Sequence, residues 1–284
     1  MKSEVEFDIK AVQEECLKIM DAFDGVCRRH GLRYYMACGT MLGAVRHKGF
    51  IPWDDDVDLY MPRPDYEILQ KNRKEWLPEN LNLCNQQNDI TFPHYFAKIE
   101  DLNTTFVERA YLGHYGGAWI DIFPIDGAPD NEGERKKHIR RFRHWRRLQY
   151  YVYRNPWKHG RTPGGLFVWL VQKLYSKEYV NRRLLEVIKE YDFDNHDLLM
   201  PHNDKQKTFT KETLGVNPVE YDFEGRKFYG VKDYDKYLTT IFGNYMTPPP
   251  VEQRVVHHNI VCCDLNLPIA EYLKLSLIHI SEPT

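Results

Sequence analysis

The 284-residue sequence has little net charge, because 39 Lys+Arg stand against 41 Asp+Glu to give a formal total of −2. A general nucleic-acid-binding protein usually carries a large basic excess, so this balance argues against that class. Paired cysteine motifs are also absent: the six cysteines form no CxxC pair, which favours reduced thiols over a disulfide framework. We therefore expect a cytoplasmic protein that binds no nucleic acid.

Long apolar runs are absent as well. The first ten residues carry charges where a signal peptide needs an apolar core, which predicts no secretion. The most apolar stretch, residues 165–174, is about half the length that spans a bilayer. With 42% hydrophobic and 28% charged residues, the composition is typical of a folded globular protein, either one large domain or one domain with an appendage.

Hydrophobic periodicity predicts a mixture of helices and short strands. Predicted helices cover residues 9–27, 41–46, 65–76, 132–153, 166–175, 178–191 and 233–242. Predicted strands cover residues 32–38, 57–61, 94–100, 104–108, 119–123, 219–223 and 226–231. We expect Gly39-Thr40 to form a turn, Pro124 to end the fifth strand, and Glu224-Gly225 to join the last two strands as a hairpin.

The most informative segment is residues 39–58, which ends in four carboxylates within five positions: Asp54, Asp55, Asp56 and Asp58. Like charges this close repel one another unless a cation offsets them. If a strand begins here, side-chain alternation puts Asp56 and Asp58 on one face and Val57 in the core. Such a pair suits Mg²⁺, with Mn²⁺ as a second option, because Mg²⁺ often binds through one or two carboxylates plus substrate phosphates. The alternative is a solvated acidic loop, which the apolar neighbours of the run disfavour.

Residues 39–69, GTMLGAVRHKGFIPWDDDVDLYMPRPDYEIL, resemble the characteristic motif of the LicD family of phosphocholine transferases. That family is similar to the fukutin-type ribitol-phosphate transferases, and both belong to the polymerase-beta-like nucleotidyltransferase superfamily. The superfamily pattern is a Gly-Ser/Thr turn followed by an acidic pair on a strand, matched here by Gly39-Thr40 and by Asp56 with Asp58. The third family carboxylate corresponds to Asp121 in DIFPID, residues 121–126.

Further stretches extend the resemblance over about residues 16–264. They are residues 96–99, 103–105, 223–225 and 245–250, Arg254, and the pair His257-His258. The resemblance implies an α+β fold with a nucleotidyltransferase-like mixed sheet, flanked by helices and carrying an added helical segment. We predict a catalytic core in residues 1–130, a basic and aromatic helical insertion in 131–195, and the rest of the catalytic domain in 196–274. The last segment, 275–284, continues no pattern and is interpreted as a non-native tail, such as a translated sequencing adaptor.

The resemblance also implies the roles of the site residues. Asp56, Asp58 and Asp121 are predicted to be catalytic and to hold the metal, with Asp121 either ligating it or accepting the proton of the acceptor hydroxyl. The predicted substrate-binding residues are Gly39, Thr40, Arg46, His47, Trp53, Asp54, Lys98, His257 and His258. Backbone N–H groups near Gly39 can bind a phosphate, and Arg46 or Lys98 can neutralise a phosphoryl group. The alternatives are an ordinary tight turn and a solvated basic loop.

Two further segments allow more than one interpretation. His257, His258, Cys262 and Cys263 suggest zinc, but their spacing does not match paired finger ligands, so a pocket wall is favoured. The segment from Arg135 to Arg147 carries eight Lys+Arg and is followed by aromatic residues. Either residues 135–169 contact anionic lipid at the inner face of the cell membrane, or these cations form a solvated helix face, which is slightly favoured.

The combined prediction is a metal-dependent phosphotransferase. The resemblance implies CDP-choline or a related CDP-alcohol as donor, and as acceptor a hydroxyl of a cell-surface glycan, a lipopolysaccharide or a teichoic-acid precursor, which can be lipid-linked. The aromatic surplus can enclose a choline cation. One alternative is a nucleotidyltransferase that moves a nucleoside monophosphate to a small molecule or protein. Another is a non-catalytic, membrane-surface glycan-binding module, against which the intact carboxylates argue.

Overall fold

The described chain opens with a long amphipathic helix, α1 (Ile9–His30). In this computed structural model, residues 5–158, 160–203, 206–256 and 258–281 are described, with side chains to residue 275. The Asp8 side chain caps α1 by accepting hydrogen bonds from the backbone N–H groups of Lys10 and Ala11. Gly31 ends the helix at φ 66°, a left-handed conformation that favours glycine. The predicted first helix is confirmed.

Helices and short strands follow in the order that the periodicity broadly predicted. The remaining helices are α2 (Cys38–Arg46), α3 (Arg63–Trp76), α4 (Glu132–Tyr153), α5 (Pro163–Leu174), α6 (Lys177–Ile188), α7 (Lys211–Leu214), α8 (Tyr234–Phe242) and α9 (Ile269–Ser281). The strands are β1 (Tyr35–Met36), β2 (Asp58–Pro62), β3 (Leu81–Cys84), β4 (Ala97–Asp101), β5 (Thr105–Glu108), β6 (Trp119–Gly127), β7 (Leu198–Met200), β8 (Phe209–Thr210), β9 (Val219–Phe223), β10 (Arg226–Gly230) and β11 (Ile260–Asp264).

A mixed sheet organises the described residues, in the order β3-β4-β6-β2-β1-β10-β9, with β7 pairing with β6 and β8. The central strands β2 and β6 run parallel, with Asp58 opposite Asp121. Strand β4 runs antiparallel to β6 and brings Lys98 opposite Asp121. Strands β5 and β11 form a separate antiparallel pair. The predicted α+β class, a mixed sheet flanked by helices, is confirmed.

Strand β6 continues through Pro124, where the sequence predicted an end. Proline lacks the backbone N–H that a strand donates to its neighbour. Strand β4 pairs with residues 119–122 and β7 with residues 126–127, so Pro124 lies where β6 has a partner only on its β2 side. The proline therefore interrupts neither antiparallel ladder. The predicted boundary was wrong because a single sequence does not show which strand edges are paired.

The predicted Gly39-Thr40 turn is instead part of the first turn of α2. The chain reverses at Cys38, whose φ is 45° and whose backbone N–H donates to the Tyr237 hydroxyl at 3.0 Å. Gly39 packs closely against the Asp54 carboxylate. A β-carbon at position 39 would displace this side chain from its place beside the acidic cluster.

Residues 131–195, predicted as a helical insertion, contain α4, α5 and α6. These helices share two apolar clusters apart from the main core, one around Val152 and Val171 and one around Phe142 and Leu184. Within the described ranges, no helix is both long and apolar enough to cross a membrane. Helix α9 extends into the predicted non-native tail, whose residues 282–284 lie outside the described residues. The domain boundaries and the origin of the tail stay predictions.

Candidate active site

Three carboxylates meet where the two central strands begin. Because β2 and β6 are parallel neighbours in register, Asp58 and Asp121 lie side by side, and Asp56 precedes β2 by two residues. One oxygen from each of the three carboxylates lies within 4.8 Å of the other two. The structure thus brings together the three residues predicted to hold a metal.

Burial and mutual repulsion disfavour the charged forms of these carboxylates when no metal ion is bound. Burial raises the pKa of Asp58 well above its usual value, and the charges of Asp56 and Asp121 raise it further. Burial likewise raises the pKa of Asp121 from 3.8 to about 7, although Lys98 opposes the shift. Asp121 Oδ1 is buried and accepts no hydrogen bond from the described residues. A buried oxygen of this kind is available to a ligand.

Backbone contacts hold the cluster in place. The Thr40 hydroxyl accepts a hydrogen bond from the Asp58 backbone N–H at 2.8 Å. The Asp121 backbone N–H donates to the Val57 carbonyl at 2.8 Å, and the Asp58 carbonyl accepts from the Ala37 N–H at 2.9 Å. Thr40 is buried and acts on the Asp58 backbone, so the structure places it behind the acidic cluster rather than on the cavity wall.

A histidine brings positive charge to the acidic cluster from far along the chain. His258 Nδ1 lies 3.0 Å from Asp55 Oδ1, and His258 Nε2 lies 3.7 Å from Asp56 Oδ2. Burial lowers the pKa of His258, but Asp56 and the hydrogen bond to Asp55 outweigh it and raise the pKa to about 10. Asp55 and Asp56 therefore favour the protonated form of His258. The sequence analysis predicted no role for Asp55, the buried partner of His258.

Lys98 is enclosed between two acids. Its Nζ lies 3.5 Å from both Glu108 Oε2 and Asp121 Oδ1, and 3.5 Å from the centroid of the Trp119 ring. Burial raises the pKa of Glu108, but Lys98, His258 and Arg109 together outweigh burial, and the net pKa is lowered. Glu108 was not among the site residues predicted from the sequence, although an acidic residue that ends an apolar strand is a recognisable signal.

These groups face a cavity of about 1090 Å³. That volume exceeds the roughly 300–1,000 Å³ typical of a pocket for one small ligand, so the cavity has room for two substrates. The α4 wall contributes Arg143, Arg146, Arg147 and Tyr150, and other walls contribute aromatic rings such as Phe96 and Phe242. The charge of the α4 wall complements the acids opposite, so the cavity can accept a cation and phosphates together.

Of the other predicted substrate-binding residues, four line the cavity and one does not. Gly39, Arg46, Trp53 and Asp54 line the cavity. Arg46 donates from Nη1 to the Tyr245 carbonyl at 2.7 Å, and burial together with Arg254 lowers its pKa. His47 is exposed and does not line the cavity, although Arg46 Nε donates to its Nδ1 at 3.4 Å.

The last predicted residues concern the histidine pair and zinc. His257 lies outside the described residues. Within the described part of the chain, the metal-ligand group that contains His258 is completed by Asp55 and Asp56, and it includes no cysteine. Cys262 and Cys263 instead lie on β11, paired with β5. The described geometry therefore offers no support for a zinc site of the finger type.

The chain is similar to known proteins over much more than the residues of the site. Residues 31–158 match the family model described as LicD/FKTN/FKRP, nucleotidyltransferase domain. The chain is 32% identical over 262 residues to the lipopolysaccharide cholinephosphotransferase LicD of Haemophilus influenzae, covering 88% of this chain and 96% of that protein. A stretch of 35 residues is 54% identical to the ribitol 5-phosphate transferase FKRP of Mus musculus and of Homo sapiens, covering 12% of this chain and 7% of each relative. The chain therefore belongs to the LicD family, as its acidic motif predicted.

Proposed function

We propose that this protein is a transferase that moves phosphocholine, or a related alcohol phosphate, from a CDP-linked donor to a hydroxyl of a cell-surface glycan. The acidic cluster Asp56, Asp58 and Asp121 carries the proposal, because it opens onto a cavity large enough for donor and acceptor. The likeness to the Haemophilus influenzae cholinephosphotransferase over most of both chains supports phosphocholine as the transferred group and lipopolysaccharide as a model acceptor.

The donor set fits a hard divalent cation. Three carboxylates offer oxygen ligands within reach of one ion, and Asp121 Oδ1 is a buried oxygen without a hydrogen bond. We assign Asp56, Asp58 and Asp121 as the residues that would hold Mg²⁺, or Mn²⁺ in its place. Such an ion, when bound, neutralises a diphosphate and polarises its phosphorus–oxygen bonds.

The cationic side chains have separate tasks in this proposal. Arg46 lies on the cavity wall, where it can contact the phosphates of the donor. His258 is fixed as a cation by Asp55 and Asp56, so it orients these acids and does not serve as a general base. Lys98 limits the repulsion between Asp121 and Glu108 and keeps the Asp121 carboxylate correctly placed.

The alcohol and the acceptor would occupy different parts of the cavity. Phe96 and Phe123 form an aromatic pair with centroids 4.4 Å apart, and both line the cavity. Aromatic faces bind quaternary ammonium groups, so this pair is a candidate contact for choline. The α4 wall, with Arg143, Arg146 and Arg147, suits phosphates of the donor or of a phosphorylated glycan.

The test is transfer by the purified chain with CDP-choline, Mg²⁺ and a panel of lipopolysaccharide and teichoic-acid acceptors. We expect release of CMP and an acceptor whose mass rises by one phosphocholine. Asp58→Asn should lower kcat by at least about 100-fold, because it removes one of the three carboxylates that would hold the cation. A mass increase by one nucleotide would instead identify a nucleotidyltransferase. No CMP release with any CDP-alcohol would refute the proposed reaction.

A further inference from the structure

One segment concentrates the positive charge of the chain. Residues 135–177, named here the acid-free segment, contain 13 Lys+Arg and no Asp or Glu. The rest of the chain carries 26 Lys+Arg against 41 Asp+Glu, so the near-zero total hides a strong separation of charge. The acid-free segment spans most of α4, all of α5 and the loop between them.

Helix α5 adds an exposed apolar surface to this basic segment. Its outward residues, named here the α5 apolar face, are Leu166, Phe167, Trp169, Leu170 and Leu174. Phe167 is 53% exposed and Leu174 is 77% exposed. Among the large apolar side chains that are exposed in the described residues, eight of 21 fall within residues 150–179. Scattered exposed apolar residues are normal on a soluble protein, but a contiguous patch of this kind marks a contact surface.

The α5 apolar face is held outward by the rest of the fold. The opposite side of α5 is buried through Val168 and Val171, and Val171 packs with Val152 of α4. Gln172 Nε2 donates to the backbone carbonyls of Tyr151 and Arg154 at 2.9 and 2.7 Å. Since one side of the helix is docked on α4, the exposed side cannot turn inward to bury itself.

We propose that the α5 apolar face and the cations around it dock the protein on an anionic lipid bilayer. Helix α5 has 12 residues, whereas a helix needs about 20 residues to cross a bilayer. It would therefore lie in the plane of the membrane interface. Exposed Trp157 and Trp169 suit the boundary between headgroups and acyl chains. Arg161 and Lys173 are exposed beside the apolar residues and can contact lipid phosphates.

Charge decides between a bilayer and a second copy of this chain. A symmetric dimer through the α5 apolar face would place the same surface on both sides of the interface. The acid-free segment would then face its own copy, and cations would meet cations with no carboxylate from either segment to pair with them. An anionic bilayer complements both the apolar face and the charge.

Docking would also place the cavity near the bilayer. Arg147 and Tyr150 line the cavity from α4, and Tyr151, next in the chain, packs against Phe167 of α5 with ring centroids 5.4 Å apart. A lipid-linked glycan would therefore reach the cavity from the membrane surface. This last step rests on the proposed function, whereas the docking surface does not.

The test is flotation of the full chain, without donor or acceptor, on vesicles of phosphatidylcholine alone or with about one third phosphatidylglycerol. We expect binding to the anionic vesicles that weakens as salt is added. Phe167→Ser/Leu170→Ser should weaken this binding by about tenfold or more. Arg161→Gln/Lys173→Gln should reduce the preference for phosphatidylglycerol. Ile68→Ser/Val216→Ser, which alters two exposed apolar residues outside the acid-free segment, is the matched control and should bind like the wild type.

Sedimentation velocity measures the oligomeric state of each variant, and thermal unfolding measures its stability. The variants should keep the wild-type melting temperature, because all the altered side chains are exposed. Equal vesicle binding by wild type and Phe167→Ser/Leu170→Ser would overturn the proposal, as would absence of binding to anionic vesicles. A wild-type dimer that this variant dissociates would overturn it in favour of self-association. Activity on a detergent-solubilised acceptor tests the proposed function separately, because it needs no bilayer.

Discussion

Two aspartates of the DIFPID motif should respond in opposite directions to the same isosteric change. Asp126 makes a bidentate ion pair with Arg63, with Nε–Oδ1 at 2.8 Å and Nη2–Oδ2 at 2.6 Å, and the two side chains are only 2% and 11% exposed. Asp121 instead lies in the acidic cluster, and its buried Oδ1 accepts no hydrogen bond from the described residues, although Lys98 Nζ lies 3.5 Å from it. Asp126→Asn should therefore destabilise the fold, and Asp121→Asn should stabilise the cation-free fold while abolishing transfer.

The magnitudes follow from burial. Removing one charge of a buried ion pair leaves the other uncompensated and costs about 3 kcal/mol or more. The Asp121 carboxyl has a pKa raised from 3.8 to about 7, so its charged form opposes folding above that pH. At about 1.4 kcal/mol per unit, the neutral amide relieves on the order of 2–4 kcal/mol at pH 8. An exposed pair, Lys189 with Glu67 at 3.0 Å, is the control, and Lys189→Met should cost less than about 1 kcal/mol.

The assay is urea unfolding at pH 8 with a chelator and then with Mg²⁺. In chelator, the free energy of unfolding should rank Asp121→Asn above the wild type and the wild type above Asp126→Asn. Added Mg²⁺ should stabilise the wild type and Asp126→Asn, since a ligand that binds only the folded state raises its stability. It should stabilise Asp121→Asn much less. If Asp121→Asn is destabilised in chelator, or if Mg²⁺ stabilises it as much as the wild type, the assignment of Asp121 to a cation site fails.

Three further changes probe single contacts. Thr40→Val should cost about 1–3 kcal/mol in urea unfolding and also lower kcat, because it leaves the Asp58 N–H without its acceptor; Thr40→Ser should restore both. His202 is buried against His138, and burial holds the pKa of both rings below their usual value. Only the unfolded chain then gains these protons as the pH falls below about 6.5, so the contribution of the pair to stability declines from pH 7 to pH 5. Over that range the stability of the wild type should fall relative to that of His202→Gln in urea unfolding. Lys98→Met should lower kcat at least about tenfold in CMP release, with a smaller change in KM for the donor; an unchanged kcat would remove its positioning role.

Local patterns predicted the centre of the site because its chemistry lies on two strands. The acidic run and the DIFPID motif each place a carboxylate within an apolar alternation, and parallel pairing then brings Asp58 opposite Asp121. The helices were also predicted from local patterns, because α1 and α4 have clear periodicity and clear caps. Strand β3 was missed because four residues on a sheet edge carry too little pattern.

Contacts between segments that are distant in the chain could not be predicted from local sequence patterns. Asp55 and His258 are 203 positions apart, and no local spacing predicts that they form a hydrogen bond. Thr40 was predicted to bind substrate, whereas its hydroxyl accepts from the Asp58 backbone 18 positions away. The Arg63–Asp126 pair shows the same limit, since its two residues are 63 positions apart in the chain. Each of these roles is set by which strands and helices are neighbours.

The basic run on α4 illustrates why a charge pattern alone does not assign a surface. Arg143 lies three and four residues before Arg146 and Arg147, and Tyr150 lies four and three residues after them. All four therefore share one face of the helix, and that face lines the cavity. The cations beside the α5 apolar face, Arg161 and Lys173, lie outside the cavity lining. One segment therefore presents two basic surfaces with different partners. Arg143→Gln/Arg147→Gln should lower kcat/KM for transfer with little effect on vesicle binding, and Arg161→Gln/Lys173→Gln should do the reverse. Equal losses in both assays would show that the basic run acts as a single surface.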